Sequence, residues 1–350
     1  MVDWLAGKRI KGTSSERISG TVPSSSVGGW KEIARTTSTG GLTEISSTWT
    51  SGDYKRYYMV LINHRVRSGA ATNNRFYIGS GSKATSGYSS AYSQDNGAFT
   101  SAFTTDIRTS TTTYDGEFYT VFLSNHNGKS KLFLGEGMNC GTYDTTSYAP
   151  GAFTVKAKWT GTGQIDRIYW YGGDTLTDYE IVVLGYDPAD NHTTNFWQPL
   201  ATKELTSAED ITLSFTPKKY LKYALYGIKG SSGSTEAPVF QFNGSTSSYS
   251  QNNIINGTSY KYNNLSFTNI GGDGSVSSET FLATGYIYNG GNTSKKIIGN
   301  AVYSNTAGTG IGNIVKVYNK WNSNDQISSI KAYTPAGLQA GSILRVWGSD

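Results

Sequence analysis

Trp321-Asn322-Ser323-Asn324-Asp325-Gln326-Ile327-Ser328-Ser329-Ile330 has an earlier counterpart in Trp159-Thr160-Gly161-Thr162-Gly163-Gln164-Ile165-Asp166-Arg167-Ile168. The tryptophan, the glutamine and both isoleucines recur at a shift of 162 residues. Each stretch then runs through a Gly-containing turn into an apolar strand that ends on glycine, Ile181-Val182-Val183-Leu184-Gly185 and Ile343-Leu344-Arg345-Val346-Trp347-Gly348. Working outward, Lys55-Arg56-Tyr57 matches Lys218-Lys219-Tyr220 at 163, and Phe76 matches Phe240 at 164. Ser130-Lys131 matches Ser294-Lys295 at 164, and Trp30 matches Trp197 at 167. Chance similarity between strands rich in Gly, Ser and Tyr would not keep the shift between 162 and 167 across six anchors, so the chain reads as two copies of one domain that differ in loop length.

The repeat divides the 350 residues into an arm, residues 1–29, a first domain, 30–190, and a second, 195–350. Each domain is long enough to bury its own core. Charged residues make up only 16% of the chain, while there are 42 glycines and 25 tyrosines. That balance is too aromatic for disorder and too rich in Gly, Ser and Thr for helices, and it favours short strands joined by tight turns. Tyr58-Met59-Val60-Leu61-Ile62 and Phe118-Tyr119-Thr120-Val121-Phe122-Leu123 read as strands in the middle of a sandwich. Gly79-Ser80-Gly81-Ser82, Asn127-Gly128 and Gly172-Gly173 read as turns. The expected fold is all-β: two tandem homologous β-sandwich domains, jelly-roll-like, behind an extended N-terminal arm.

Few residues offer chemistry. The three histidines, His64, His126 and His192, have no counterparts in the other repeat and sit in no nucleophile motif, so they read as loop and strand-edge residues. One cysteine, Cys140, excludes an intrachain disulfide, and no Cys/His pair has zinc-ligand spacing. Gly128-Lys129-Ser130 lacks the first glycine of a phosphate loop, Leu123 standing in its place, and reads as a hairpin turn. Neither Asp187 to Asp190 nor Gly271-Gly272-Asp273-Gly274 has the alternating carboxylates of a calcium loop. Glu117, Glu136 and Glu180 have no partner that sequence nominates for a glycosidase pair. No catalytic residue, cofactor or metal is therefore expected.

Binding is the better expectation. The net charge of +5 is a small excess spread along the chain, without the basic block of a nucleic-acid groove. No apolar run is long enough for a membrane span, and no signal peptide is evident, so synthesis in a cytoplasm is expected. In the arm, Trp4 and Leu5 are the candidate plug, flanked by Lys8 and Arg9. Tyr88, Tyr92, Tyr143, Tyr148, Tyr249, Tyr260 and Tyr262 lie in Ser/Asn-rich surroundings and are the candidate contacts for a ligand or partner.

The opening Trp4-Leu5-Ala6-Gly7-Lys8-Arg9-Ile10-Lys11-Gly12-Thr13-Ser14-Ser15-Glu16-Arg17, the linker Gly185-Tyr186-Asp187-Pro188-Ala189-Asp190 and the ending Val346-Trp347-Gly348-Ser349-Asp350 resemble a group of duplicated β-rich proteins. These are met among marine-type viruses and uncultivated microbes and are read as virion structural or fibre-like proteins. The resemblance implies a class and transfers no functional residue. It implies a non-enzymatic structural protein of a virus particle, in its shell, on its surface or in a tail or fibre, made in the host cytoplasm. The partners expected are further copies of the chain, joined through the arm, other virion proteins and host-surface glycans. One rival, a glycoside-active enzyme, would show paired carboxylates in a cleft, and two more share the same fold. One is a carbohydrate-binding adhesin at the cell surface, which a glycan array separates; the other is a cellular surface-layer or filament subunit, which genomic neighbourhood decides.

Overall fold

A strand with no polar residue on either face, such as Tyr58-Met59-Val60-Leu61-Ile62, is stable only where both faces of its sheet are covered. The computed structural model shows two covers. It describes residues 29–66, 74–102, 105–110, 116–140, 149–187, 195–230, 237–271, 280–303 and 312–350. Tyr58, Val60 and Ile62 point into the core of the first half, while Met59 and Leu61 point the other way, into a cluster shared with the second half.

The first half contributes β1 (Lys31–Ser38), β2 (Leu42–Thr48), β3 (Tyr57–Val66), β4 (Asn74–Ser80), β5 (Ser82–Lys83), β6 (Tyr88–Gln94), β7 (Thr100–Ala102), β8 (Ile107–Ser110), β9 (Glu117–Ser124), β10 (Lys131–Asn139), β11 (Gly151–Trp159) and β12 (Arg167–Tyr186). The second contributes β13 (Gln198–Glu204), β14 (Ile211–Ser214), β15 (Tyr220–Ile228), β16 (Val239–Phe242), β17 (Tyr249–Ile255), β18 (Thr258–Leu265), β19 (Thr268–Asn269), β20 (Thr280–Tyr288), β21 (Lys295–Tyr303), β22 (Asn313–Trp321), β23 (Ser329–Tyr333) and β24 (Ile343–Ser349). Among the described residues the one helical element is a single 3₁₀ turn, Ser51–Asp53.

Each half is a β-sandwich of a large and a small antiparallel sheet. In the first half the large sheet runs β1-β12-β3-β9-β10-β11-β6-β7, and the small one runs β2-β12-β4-β8 with β5 folded back on β4. In the second half the orders are β13-β24-β15-β20-β21-β22-β17-β18 and β14-β23-β16-β19. Strand for strand the two orders correspond. Among the described residues the changes are that β12 passes through both sheets, where β23 and β24 are separate strands, and that β5 has no counterpart in the second half. This correspondence fits the duplication read from the sequence.

Ile165, Ile168, Ile327 and Ile330 are fully buried, one pair in each core. Trp159 and Trp321 end the equivalent strands β11 and β22. Truncating Ile330 to alanine is expected to cost about 2 to 5 kcal/mol, read from urea unfolding, because the cavity lies between two sheets that cannot easily close on it. A loss below about 1 kcal/mol would mean that the site is not packed as described.

The halves also repeat their buried polar devices. Asn125 accepts a hydrogen bond from Ile165 N at 2.8 Å and donates to Lys55 O at 3.0 Å. Asn289 accepts from Ile327 N at 2.7 Å and donates to Lys218 O at 2.9 Å. Lys131 is fully buried, and its ammonium donates to the carbonyls of His126, Lys129 and Thr162; Lys295 does the same to Gly290, Thr293 and Ser323. Loss of solvent lowers the pKa of the Lys131 ammonium from its ordinary value. The expected hairpin at Asn127-Gly128 joins β9 to β10, with Gly128 in the left-handed region at φ +70°.

Candidate functional site

Side chains alternate across a strand, so each large sheet has an inner face in its own sandwich and an outer face. The two outer faces pack on each other. Leu61, Phe118, Met138, Ala152 and Val182 of the first half meet Tyr220, Ile254, Tyr288, Ile298 and Tyr318 of the second in one buried cluster. Around it the first half supplies mostly acceptors and the second mostly donors, Asn96 to Gly257 O and Arg35 to Asp350 O running the other way. Glu180 accepts from the Tyr220 hydroxyl at 2.7 Å and the Lys219 ammonium at 2.6 Å, with Arg35 of its own half at 2.6 Å. Burial, reinforced by the Glu180 charge, pushes the Tyr220 hydroxyl well above its ordinary pKa, so it stays a donor. Lys296 donates to Asn63 Oδ1 at 2.7 Å, Lys320 to Cys140 O at 2.7 Å, and Asn252 to Asp95 Oδ1 at 2.8 Å. Lys316 pairs with Glu136 at 3.1 Å. Buried charges left unpaired are costly, so this matched set fixes the angle between the halves.

The contact leaves part of each outer face uncovered. On the first half an open hollow of about 430 Å³ is lined by Trp30, Tyr57, Phe122, Leu132, Leu134 and Tyr186. Their strand neighbours Tyr58, Leu123 and Phe133 point into the core, so alternation itself turns these side chains outward. On the second half Tyr226, Leu282, Val302 and Ile314 are exposed. Between the two areas lies a cleft of about 380 Å³, where Phe122, Leu134 and Glu136 face Lys222, Tyr286 and Ile298. A second and polar pocket between the halves, about 610 Å³, is lined by Arg65, Lys219, Lys296, Asp178, Asp350 and Tyr288 among others.

The nominated tyrosines divide. Tyr260 and Tyr262 are exposed on β18, the edge strand of the second large sheet, and are available to a partner. Tyr88 and Tyr249 are not surface contacts: both are buried in strands, and their hydroxyls accept hydrogen bonds from Ile78 N at 3.0 Å and Phe242 N at 2.8 Å. Tyr92 lies on β6, half-buried against the first core. Tyr143 and Tyr148 lie outside the described residues, as do Trp4, Leu5, Lys8 and Arg9 of the arm, and most of the linker.

His64 also departs from expectation. It is no strand-edge residue but is fully buried on β3, with Nε2 3.1 Å from Glu117 Oε2. The same oxygen accepts from Asn74 Nδ2 and from the Tyr119 hydroxyl, each at 2.6 Å. Glu117 too is fully buried, so this knot holds β3, β4 and β9 together and has no surface at which a substrate could meet it. His126 is exposed in the β9–β10 turn, as read, and His192 lies outside the described residues. Among the described residues no three His, Cys, Asp or Glu side chains are grouped to hold a metal ion.

The carriers of the interdomain contact, Glu180, Asp95, Lys296 and Lys320, were not nominated from sequence. One signal was available: apolar residues on both faces of residues 58–62 and 181–184 demand a second cover, and the other repeat is the nearest candidate.

No family model and no curated protein matches the chain. Among solved structures it is similar to domains LG4-5 of the mouse laminin alpha1 chain, at 10% identity over 91% of this chain and 89% of that one, with a TM-score of 0.21. It is similar also to the LG1-3 region of the laminin alpha2 chain, at 10% identity over 90% and 68% of the two chains, with a TM-score of 0.18. Likenesses this distant carry no argument about function.

Proposed function

We propose that this chain is a non-enzymatic structural protein of a virus particle, in its shell, on its surface or in a tail or fibre, and that it self-assembles with its N-terminal arm as connector. The resemblance of its opening, linker and ending supports the particle. The observation that carries self-assembly is the exposed apolar hollow of the first half, with Trp30 set against Phe122 and Tyr186 where the arm joins the sandwich. Contiguous apolar surface of this kind marks an interaction site.

Ordering a polar arm costs roughly 1 to 2 kcal/mol of backbone entropy per residue, whereas burying Trp4 and Leu5 returns only about 1.5 to 3 kcal/mol each. The arm therefore needs main-chain hydrogen bonds to a neighbour as well, and a sheet edge supplies them. Deleting residues 1–27 is expected to leave the far-UV circular dichroism unchanged while multimers fall to monomers in sedimentation. A truncated protein that assembles like the full chain would remove the arm as connector.

A second reading, binding of a host-surface glycan, is favoured by the polar pocket between the halves, where Arg65, Lys219, Asp178 and Asp350 supply hydrogen-bonding groups. A glycan array decides it, with binding lost on Arg65→Ala.

A further inference from the structure

The internal contact is one-ended. The β9–β10 and β20–β21 turns mark the hairpin end of each large sheet, and the opposite end is the far end. Within the chain, the hairpin end of the second half packs on the far end of the first. Among the described residues nothing covers the hairpin end of the first half or the far end of the second, although they are copies of surfaces that are buried elsewhere in the same molecule. Exposed Tyr57 and Leu134 correspond to Tyr220 and Ile298, which are buried in the contact. Exposed Leu282, Val302 and Ile314 correspond to buried Phe118, Met138 and Ala152.

Solvent exposure should make the uncovered copies more polar than the buried ones, as Lys156 is for Tyr318, Ser124 for Tyr288 and Arg345 for Val182, but at two of the pairs that join the halves the reverse is found. Where Lys296 meets Asn63 inside the contact, the equivalent residues of the uncovered ends are Leu132 and Tyr226. Where Tyr220 meets Glu180, the equivalents are Tyr57 and Ile343. In the second pair Glu180 gives way to Ile343 while the tyrosine is kept, and in the first pair Lys296 and Asn63 give way to Leu132 and Tyr226 on both sides of the contact. Leu132 is 58% exposed and Tyr226 40%, an arrangement that water penalises unless something covers them.

We infer that the uncovered hairpin end of the first half binds the uncovered far end of the second half in another copy of this chain, repeating between molecules the packing that joins the halves within one. Leu132 then meets Tyr226, and Tyr57 meets Ile343, as an apolar version of the internal contact. The two surfaces differ, so the contact is head-to-tail, the type that closes into a ring or continues as a filament. This rests on the self-assembly reading and adds its partner and its surfaces.

The test uses the full-length chain with Leu132→Glu or Tyr226→Glu, both at exposed positions where the melting temperature should not move. Each variant alone buries an unpaired carboxylate in every such contact. Each is expected to raise the dissociation constant more than about tenfold in sedimentation equilibrium. Mixed one to one, the variants should form heterodimers, because Tyr226→Glu keeps an intact hairpin end and Leu132→Glu an intact far end. Variants that associate as the wild type does, or a mixture no more associated than either variant alone, would overturn the inference and leave assembly through the arm standing. A wild-type chain that stays monomeric at every concentration would overturn both.

Discussion

Raising the pH from 9 to 12 should unfold the protein cooperatively, with stability falling by roughly 10 kcal/mol by pH 11. Seven of the buried tyrosines, Tyr58, Tyr88, Tyr220, Tyr223, Tyr249, Tyr288 and Tyr318, have hydroxyls that burial holds in the protonated form. Burial pushes the hydroxyls of Tyr58 and Tyr249 up to about 12, and holds those of Tyr88, Tyr220, Tyr223, Tyr288 and Tyr318 well above the ordinary tyrosine value. A group whose folded pKa is raised contributes its full stability below the unfolded value, about 10 for tyrosine, and loses it as pH climbs toward the folded value. At pH 11 the unfolded chain has shed these protons and the folded chain has kept them, which is worth about 1.4 kcal/mol for each tyrosine. The total is comparable with the whole stability of an ordinary domain, about 5 to 15 kcal/mol. Tyrosinate absorbance followed alongside circular dichroism checks this. The buried set should ionise only as the β signal disappears, and a smooth titration of all 25 tyrosines near pH 10 with the fold intact would contradict the burial.

Asn125→Leu and Asn289→Leu should each destabilise the half that carries the substitution by about 2 to 6 kcal/mol. Leucine nearly matches asparagine in volume, so packing changes little and water is kept out. What changes is that Ile165 N–H and Lys55 C=O in one half, or Ile327 N–H and Lys218 C=O in the other, lose their partner. Each buried orphan costs about 1 to 3 kcal/mol. Urea unfolding of the two variants measures both costs, and similar values are expected because the two side chains bridge the same two segments in each repeat. A variant with wild-type stability would show that the clamp is not formed.

Regularity made the fold legible and obscured the surfaces. The Trp-Gln-Ile-Ile pattern and the paired lysines that open β10 and β21 placed both cores, since equal positions in two repeats must satisfy equal environments. Tyr88 and Tyr249 were misplaced because their serine-rich neighbours resemble loops, yet the two residues themselves recur at a shift of 161, and extending the register to them would have marked them as core. Leu132 and Leu134 show the opposite difficulty. Their alternation with Phe133 announces a strand with two apolar faces, but the sequence does not say which face the second repeat covers. That depends on docking through Lys296, Lys320 and Glu180, whose partners are 233, 180 and 40 residues away. Such separations leave no local pattern to read.

Electron microscopy of the purified full-length chain, across a range of concentrations, tests the self-assembly account most directly. Ordered rings, filaments or sheets with a repeat set by the length of one two-sandwich unit are expected. A field of single, separate particles of one chain each, unchanged at the highest concentration, would contradict it.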